Sequence, residues 1–168
     1  ANGDPANDMP GLMQTLDATY HLTGPEGSRK VKARDFYEAA YFTAREDEEI
    51  LTAISFAKPS GGFAYEKQKR KIGDYATAAA GVIITIESGT CTAASVALTN
   101  LSDTPVYCAA AVEALVGSSL DDATIKAAVT AAVDASDPVA DTRGPVDFKK
   151  HVAGVIVKKA ITSAVARA

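Results

Sequence analysis

The sequence predicts an α+β protein in which a short mixed segment precedes a three-stranded antiparallel sheet with three helices. Apolar residues alternate with a period of two between Phe63 and Thr99, and from Thr104 onward they recur with the helical period of about 3.6. A loop-forming stretch, 58–62, precedes both patterns. Strands followed by helices, rather than alternating with them, are typical of α+β folds.

The composition is that of an ordinary globular chain. The 168 residues include 17 Lys plus Arg and 21 Asp plus Glu, which gives a net charge of -4, and 47% are hydrophobic. This excludes a disordered or fibrous protein, and the acidic balance argues against nucleic acid as a partner. With 2 Cys and 2 His there is no disulfide framework and no zinc-type cluster, so we expect no metal ligands.

No stretch of the chain is long and apolar enough to predict a membrane span. The longest weakly polar run, 76–86, is far shorter than the roughly 20 residues that a spanning helix needs. We therefore expect a cytoplasmic protein, with any membrane association arising only through a larger complex.

The first segment predicts helix, hairpin, short helix and strand. Asn7 or Asp8 can cap a first helix that has Pro10 in its first turn and ends near Asp17. The elements predicted after it are a hairpin over 18–33 with its turn at 24–27, a helical segment over 36–41 capped by Asp35, and a strand over 50–58.

A domain boundary is predicted at 58–62, Lys-Pro-Ser-Gly-Gly, because this is the most loop-like stretch of the chain. It divides the sequence into 1–60 and 61–168. The three strands expected after it cover 63–71, 76–87 and 91–99.

Three helices follow the strands. The first is predicted to begin with a Thr104 cap and Pro105 and to stop at Gly117. The second follows a capping box at 119–122 and ends near Ser136. The last begins at Pro145, and its apolar residues fall on two opposite sides, so we expect it to lie between two layers.

The segment 65–76 carries the densest charge, and two interpretations of it stay open. Its lysines and arginine could track phosphates, or they could be the solvated charges that protect an edge strand. The turn Ile72-Gly73-Asp74-Tyr75 could push an aromatic ring out of the sheet, or it could be a plain connector with Tyr75 half buried.

Asp4 and Asp8 form the other candidate cluster. They could be a metal-binding carboxylate pair, although helix capping is the simpler interpretation because no third acid or histidine accompanies them. The sequence contains no Gly-rich phosphate cradle, no Gly-x-Ser-x-Gly elbow and no Cys-x-x-Cys pair. We therefore predict no catalytic residue in this chain.

Five stretches of the sequence, taken in order, carry a resemblance to a known family. They are Ala-Asn-Gly-Asp-Pro-Ala-Asn-Asp-Met-Pro at 1–10, Leu-Thr-Gly-Pro-Glu-Gly at 22–27, Ala-Tyr-Phe-Thr-Ala at 40–44, Glu-Glu-Ile-Leu-Thr-Ala-Ile at 48–54 and, most specific, Lys-Arg-Lys-Ile-Gly-Asp-Tyr-Ala within 65–76. Together they resemble the FAD-binding medium subunit of the molybdenum hydroxylases, the xanthine dehydrogenase family, and the similarity runs over the whole chain.

The resemblance implies how the chain is organised. Residues 1–60 would be the C-terminal part of the second FAD-binding subdomain, and 61–168 the carbon monoxide dehydrogenase flavoprotein C-terminal domain. The two Gly-rich loops with which this family holds the FAD pyrophosphate are not in the sequence. A missing N-terminal FAD-binding part is therefore expected as a partner of this chain.

The resemblance also implies a set of cofactor-binding residues. Asp8 would contact the ribityl chain of FAD, where a carboxylate can accept hydrogen bonds from hydroxyl groups. The other expected residues are Asn2 beside the flavin loop, Leu51 near the isoalloxazine, Lys67 at its polar edge, and Tyr75 against the ring at the end of a turn that contains Asp74.

The function implied is electron relay. The substrate, carbon monoxide, would be oxidised at a molybdenum cofactor in a molybdopterin large subunit. Electrons would cross two-iron two-sulfur clusters in an iron-sulfur small subunit and leave through FAD to an external acceptor. The alternative is a cofactor-free scaffold or subunit-interaction module of the same assembly.

Overall fold

The computed structural model describes residues 1–168 and contains four α-helices and nine β-strands. The order of these elements confirms the predicted α+β class. The helices are α1 (Asp8–Thr15), α2 (Ala109–Leu115), α3 (Asp122–Asp134) and α4 (Val146–Val165). The strands are β1 (Thr19–Gly24), β2 (Gly27–Lys32), β3 (Tyr37–Ala39), β4 (Phe42–Thr43), β5 (Ile50–Ser55), β6 (Gly62–Gln68), β7 (Ala78–Glu87), β8 (Thr90–Thr99) and β9 (Val106–Tyr107).

The strands form three antiparallel sheets. A three-stranded sheet has the order β2-β1-β5, a two-stranded sheet pairs β3 with β4, and a four-stranded sheet has the order β6-β7-β8-β9. The first three strands of the largest sheet are those that the sequence predicts, and β9 adds a fourth strand of two residues.

The centre of the largest sheet is the β7–β8 hairpin. Its register pairs Val82 with Val96 and Ile84 with Ala94, so that their side chains form one apolar face. Ser88 and Gly89 both have positive φ, 51° and 80°, as a tight hairpin turn requires. The apolar face packs against α4 and is the centre of a core cluster of 21 buried residues.

Helix α1 covers the opposite face of the same sheet, and two glycines allow the close approach. A β-carbon on Gly11 would strike the Thr99 hydroxyl, and one on Gly81 would strike the Thr15 hydroxyl. The Ser95 hydroxyl also donates to the carbonyl of Thr15 over 2.7 Å. A helix from the first segment therefore packs directly on the second, across the boundary predicted at 58–62.

The smaller sheet has its own core of six buried residues. Phe36 and Tyr20 are at its centre, with ring centroids 4.4 Å apart. At the sheet edge, Arg29 on β2 pairs with Glu49, just before β5, over 2.6 Å. The hydrogen bond from Arg29 lowers the pKa of Glu49 to about 2.

The helical segment predicted over 36–41 is wrong. A short 3-10 turn covers Ala33–Asp35, Asp35 caps nothing, and β3 and β4 follow. Tyr41 lies between these strands with a φ of 60°, which reverses the chain there. Pairing between Tyr37 and Thr43 replaces the helical hydrogen bonds, and Phe36 is buried against Tyr20.

Two helix starts and two strand ends also differ from the prediction. Residues Val106–Tyr107 pair with Leu98 and Ala97 at the edge of β8, so α2 begins at Ala109 rather than at Thr104. The N-cap of α3 is Asp121, whose side chain accepts from the Thr124 amide. The predicted capping box placed the cap two residues earlier, at Ser119. Strand β5 ends at Ser55 and β6 at Gln68, before their predicted limits at 58 and 71.

Helix α4 lies between the large sheet and α3, as its two apolar sides predict. Val157 and Ile161 are fully buried, and the backbone at Gly154 faces Val129 and Val133 of α3. Phe148 and Val155, which the same pattern places in a core, are instead 43% and 57% exposed. None of the helices has the length and apolar character to span a membrane.

Candidate functional site

Two clefts meet at Asn7, where the opening loop enters α1. The first, of about 310 Å³, is lined by Asn7, Asp8, Lys67, Gly73, Asp74 and Tyr75. The second, of about 270 Å³, lies beside the smaller sheet and includes Leu51 in its wall. Four of the six predicted site residues therefore share one cleft, although they come from widely separated parts of the sequence.

The carboxylate of Asp8 is held by two side chains of β6. Lys67 Nζ lies 2.6 Å from Oδ2, and the Tyr65 hydroxyl donates to Oδ1 over 3.0 Å. The Lys67 side chain is only 16% exposed, whereas that of Asp8 is 42% exposed. Asp8 thus anchors a shielded ammonium group and keeps part of its own surface open to the cleft.

The structure decides which of the two predicted residues caps the first helix. Asn7 Oδ1 accepts from the Met9 amide over 2.9 Å and caps α1, whereas Asp8 makes no cap. Asp4 instead accepts from the Ala6 amide, which closes a turn in the opening loop. No three His, Cys, Asp or Glu side chains of residues 1–168 converge in a metal-binding arrangement.

Tyr65 is a site residue that the sequence analysis missed. Its hydroxyl lies 3.2 Å from the Thr99 hydroxyl in addition to its bond to Asp8. Burial and the negative charge of Asp8 raise its pKa despite the opposing bond to Thr99, so Tyr65 stays a neutral donor. The period-two spacing to Lys67 on the same strand is the sequence signal that would have revealed it.

The turn after β6 presents Tyr75 at the mouth of the first cleft. Gly73 has a φ of 81°, and the Asp74 amide donates to the Lys71 carbonyl over 3.2 Å. Tyr75 is 48% exposed, so its ring is half buried, and Ile72 is 93% exposed at the tip. Both interpretations of the turn hold in part, because it connects two strands and also exposes an aromatic ring.

Asp74 lines the cleft, but its carboxylate is occupied within the chain. Arg70 Nε lies 3.0 Å from Oδ2, and Oδ1 accepts from the Tyr75 amide over 2.9 Å. The hydrogen bond from Arg70 holds the pKa of Asp74 below its ordinary value. Its evident task is to shape the turn.

The basic residues of this region do not form one cluster. Lys67 turns into the cleft, whereas Lys69, Arg70 and Lys71 follow the end of β6 and are exposed. Strand β6 is an edge strand of its sheet. This agrees with the interpretation that the charges are solvated and protect an exposed strand edge.

Asn100 brings the opening loop and the segment after Tyr75 together. With a φ of 60°, it donates its side-chain amide to the Ala76 carbonyl over 2.7 Å and its backbone amide to the Pro5 carbonyl over 3.0 Å. The Ala76 amide donates to the Ala6 carbonyl over 3.2 Å. These bonds place Asp8 and Tyr75 on the same cleft.

Leu51 and Asn2 lie apart from that cleft. Leu51, on β5, lines the second cleft with Tyr20 and Tyr37, whose hydroxyl groups are bonded to each other. Burial raises the pKa of both tyrosines, most strongly that of Tyr37. Asn2 is exposed and lines neither cleft.

The first cleft suits a ligand that has hydroxyl groups beside a flat polar ring. The open side of Asp8 can accept from hydroxyls, the Lys67 ammonium can donate to ring oxygen or nitrogen, and the Tyr75 ring offers an aromatic face. The cleft holds no nucleophile with an adjacent base. The lining of this cleft is therefore suited to binding and orienting a ligand.

Comparison with known families identifies the class of fold. Residues 1–59 match the FAD binding domain in molybdopterin dehydrogenase, and residues 63–164 match the CO dehydrogenase flavoprotein C-terminal domain. The second match covers most of the chain. The chain belongs to the CO dehydrogenase flavoprotein C-terminal domain family.

Individual relatives agree with this assignment. The chain is 53% identical to the carbon monoxide dehydrogenase medium chain of Afipia carboxidovorans over 100% of its own length and 59% of that protein. The solved structure of a Cu,Mo-CO dehydrogenase in its cyanide-inactivated form matches with a TM-score of 0.96. The match covers 99% of this chain and 59% of the chain in that structure. Quinoline 2-oxidoreductase from Pseudomonas putida 86 matches with a TM-score of 0.92 at 31% identity. The chain thus spans about three-fifths of the length of these relatives.

Proposed function

We propose that this chain is the FAD-contacting C-terminal part of the flavoprotein subunit of a molybdenum hydroxylase. The convergence of Asp8, Lys67 and Tyr75 on one cleft carries the proposal, because these are the groups expected to meet the ribityl chain and ring of the cofactor. The match of residues 1–59 to a FAD-binding domain supports it.

Each residue has a separate task toward FAD. Asp8 accepts hydrogen bonds from ribityl hydroxyls while Lys67 and Tyr65 hold its carboxylate in place. Tyr75 shields one face of the ring, and Leu51 packs near it from the second cleft. The chemistry that FAD supplies when bound is the transfer of electrons between donors and acceptors that react in different ways.

In the complete assembly the chain serves an electron relay. Electrons come from a molybdenum cofactor in a large subunit through two-iron two-sulfur clusters in a small subunit, and they leave to an external acceptor. In this proposal the contacts to the FAD pyrophosphate come from groups other than those of the two clefts. A cytoplasmic location of this assembly is part of the same proposal.

Carbon monoxide is the proposed substrate of the assembly. The 53% identity to a carbon monoxide dehydrogenase medium chain exceeds the 31% identity to quinoline 2-oxidoreductase, although the fold is shared with both. The flavin module is distant from the substrate chemistry in this proposal, so sequence identity and not the cleft favours carbon monoxide.

The proposal is tested by the flavin of the full-length subunit and by Tyr75→Ala. We expect visible flavin absorption in the purified subunit. Tyr75→Ala should alter the flavin reduction potential or accelerate the reaction of reduced flavin with oxygen, because one face of the ring loses its shield. Ile72→Ala is the matched control, since Ile72 is in the same turn and is 93% exposed.

Two results would contradict the proposal. Absence of bound flavin from the assembled complex would favour the scaffold alternative. A Tyr75→Ala variant with unchanged flavin potential and oxygen reactivity but lower thermal stability would make Tyr75 a packing residue.

A further inference from the structure

The start of α4 and the segment before it carry a charge cluster that the proposed function does not use. It begins at Lys149, which is 1% exposed although it is a lysine on a helix. Its Nζ donates to the Val139 carbonyl over 2.8 Å and lies 2.9 Å from Asp141 Oδ2. The buried Lys149 ammonium thus fixes the Asp141 carboxylate against α4.

Asp141 in turn shapes a tight turn that ends at Gly144. The amides and carbonyls of these two residues bond to each other over 3.2 and 3.1 Å. Asp141 Oδ1 accepts from the Arg143 amide over 2.8 Å. Burial alone would raise the pKa of Asp141, but the hydrogen bonds and charges of Lys149 and Arg143 outweigh it and lower the pKa.

Arg143 extends from this turn to the cleft residue Asp74. Its Nη2 lies 3.6 Å from Asp74 Oδ1, the same oxygen that accepts from the Tyr75 amide. The side chains of Arg143 and Asp74 are 17% and 9% exposed, whereas Arg70, the other partner of Asp74, is 58% exposed. The Arg143 pair is therefore the better shielded from water and salt.

The backbone at Tyr75 is held on both sides of the residue. The bonds of Ala76 to Ala6 and Asn100 fix the chain that follows, and the bond from the Tyr75 amide to Asp74 ties Tyr75 to the exposed turn that precedes it. The restraint continues from Asp74 through Arg143 and Asp141 to the buried lysine of α4.

We propose that Arg143 is a positioning residue for the flavin site, holding the 69–75 turn through Asp74 so that Tyr75 faces the cleft. The effect on flavin rests on the proposed function, because it requires that Tyr75 shield the ring. The restraint on the turn does not, and it can be measured without flavin.

The first experiment follows amide hydrogen exchange in the full-length subunit with Arg143→Gln, Arg143→Lys and the control Lys71→Gln. Arg143→Gln should accelerate exchange in 69–77 by about two- to fivefold, as loss of one partly shielded ion pair implies, with α4 unchanged. Arg143→Lys should restore most of the protection. Lys71→Gln removes a charge from the same turn and should change nothing, because Lys71 bonds to Asp74 only through its backbone carbonyl, which the substitution keeps.

A double variant tests whether the effect passes through Asp74. In an Asp74→Asn background, Arg143→Gln should add no further acceleration, because the partner of its charge is already lost. Full additivity of the two substitutions, or unchanged exchange in Arg143→Gln alone, would overturn the inference. Acceleration that extends over α4 as well would also overturn it, since it would show general destabilisation.

The second experiment compares the flavin in Arg143→Gln and Tyr75→Ala. Both should change the rate at which reduced flavin reacts with oxygen, in the same direction and with Tyr75→Ala the larger. If the rate of reaction with oxygen changes in Tyr75→Ala but not in Arg143→Gln, the positioning role of Arg143 is overturned while the proposed function stands. No change in Tyr75→Ala would instead count against the proposed function, and hydrogen exchange would then decide the restraint on the turn.

Discussion

In the proposed function, the Asp8 carboxylate combines a structural task with a binding task. Lys67 and Tyr65 each engage one oxygen, over 2.6 and 3.0 Å. A carboxylate has about four acceptor positions, so both oxygens can accept further hydrogen bonds from a ligand. The ion pair also explains how Lys67 tolerates a side-chain exposure of only 16%, since a shielded ammonium group without a partner is strongly unfavourable.

We predict that Asp8→Ala in the full-length subunit weakens FAD binding by about 1 to 3 kcal/mol, the usual effect of removing an acceptor from partly buried hydrogen bonds. Asp8→Asn, which keeps the shape and loses the charge, should have a smaller effect. The measurement is the dissociation constant of FAD for each variant.

A control separates FAD binding from general helix stability. Asp121→Ala removes the side-chain cap of α3, and Asp121 lines neither cleft, so the substitution should lower stability with FAD affinity unchanged. Equal FAD occupancy in Asp8→Ala and the parent protein would mean that Asp8 serves structure alone.

At the scale of elements, α1 positions Asp8 because it lies unusually close to β7 and β8. Gly11 on the helix and Gly81 on the strand leave room for the hydroxyl groups of Thr99 and Thr15. The Thr15 hydroxyl also donates to the Gly11 carbonyl over 2.9 Å, within the helix. The position of the helix start, and with it the cleft, depends on this contact.

We predict that Gly81→Ala destabilises the protein by about 1 to 3 kcal/mol, since an added methyl group in a closely packed interface displaces its neighbours. Denaturant unfolding measures the change. The double variant Gly81→Ala with Thr15→Ala should recover part of the loss, because the clashing hydroxyl is removed. An additive effect of the two substitutions would show that Thr15 is not what limits the space.

At the scale of the whole molecule, two cores of unequal size are joined by few elements. The cluster under the large sheet has 21 buried residues and that of the small sheet has six. Helix α1 joins them through its packing, and the Arg34 guanidinium lies 3.6 Å from the centroid of the Tyr107 ring, between the 3-10 turn and β9. Less buried apolar surface implies a lower local stability for the smaller unit.

We predict that β1, β2 and β5 open at a lower free energy than β7 and β8 in native-state hydrogen exchange. Leu22→Ala and Leu98→Ala, each replacing a fully buried leucine, should each destabilise their own core by about 2 to 5 kcal/mol. Leu22→Ala should accelerate exchange mainly in the small sheet, and Leu98→Ala throughout the chain. Equal opening free energies for the two sheets would contradict this and would indicate a single cooperative unit.

The sequence by itself determined the elements whose stability is local. Period-two alternation predicts the β7–β8 hairpin, the Ser88-Gly89 turn predicts its reversal, and Pro145 predicts the start of α4, because each depends on residues close together in the chain. The division at 58–62 stays a prediction, although α1 packs across it. The family resemblance supplied the candidate site residues that no spacing rule would have combined.

Only the tertiary structure decided the features that join distant residues. The pairing of Tyr37 with Thr43 and of Leu98 with Val106 overrode local helical signals, because each strand found hydrogen-bond partners and burial that an isolated segment lacks. The same reason applies to the contacts of Tyr65 and Arg143, whose acidic partners lie far away in the sequence. Their roles arise because folding brings an acidic partner within reach and excludes water around the pair.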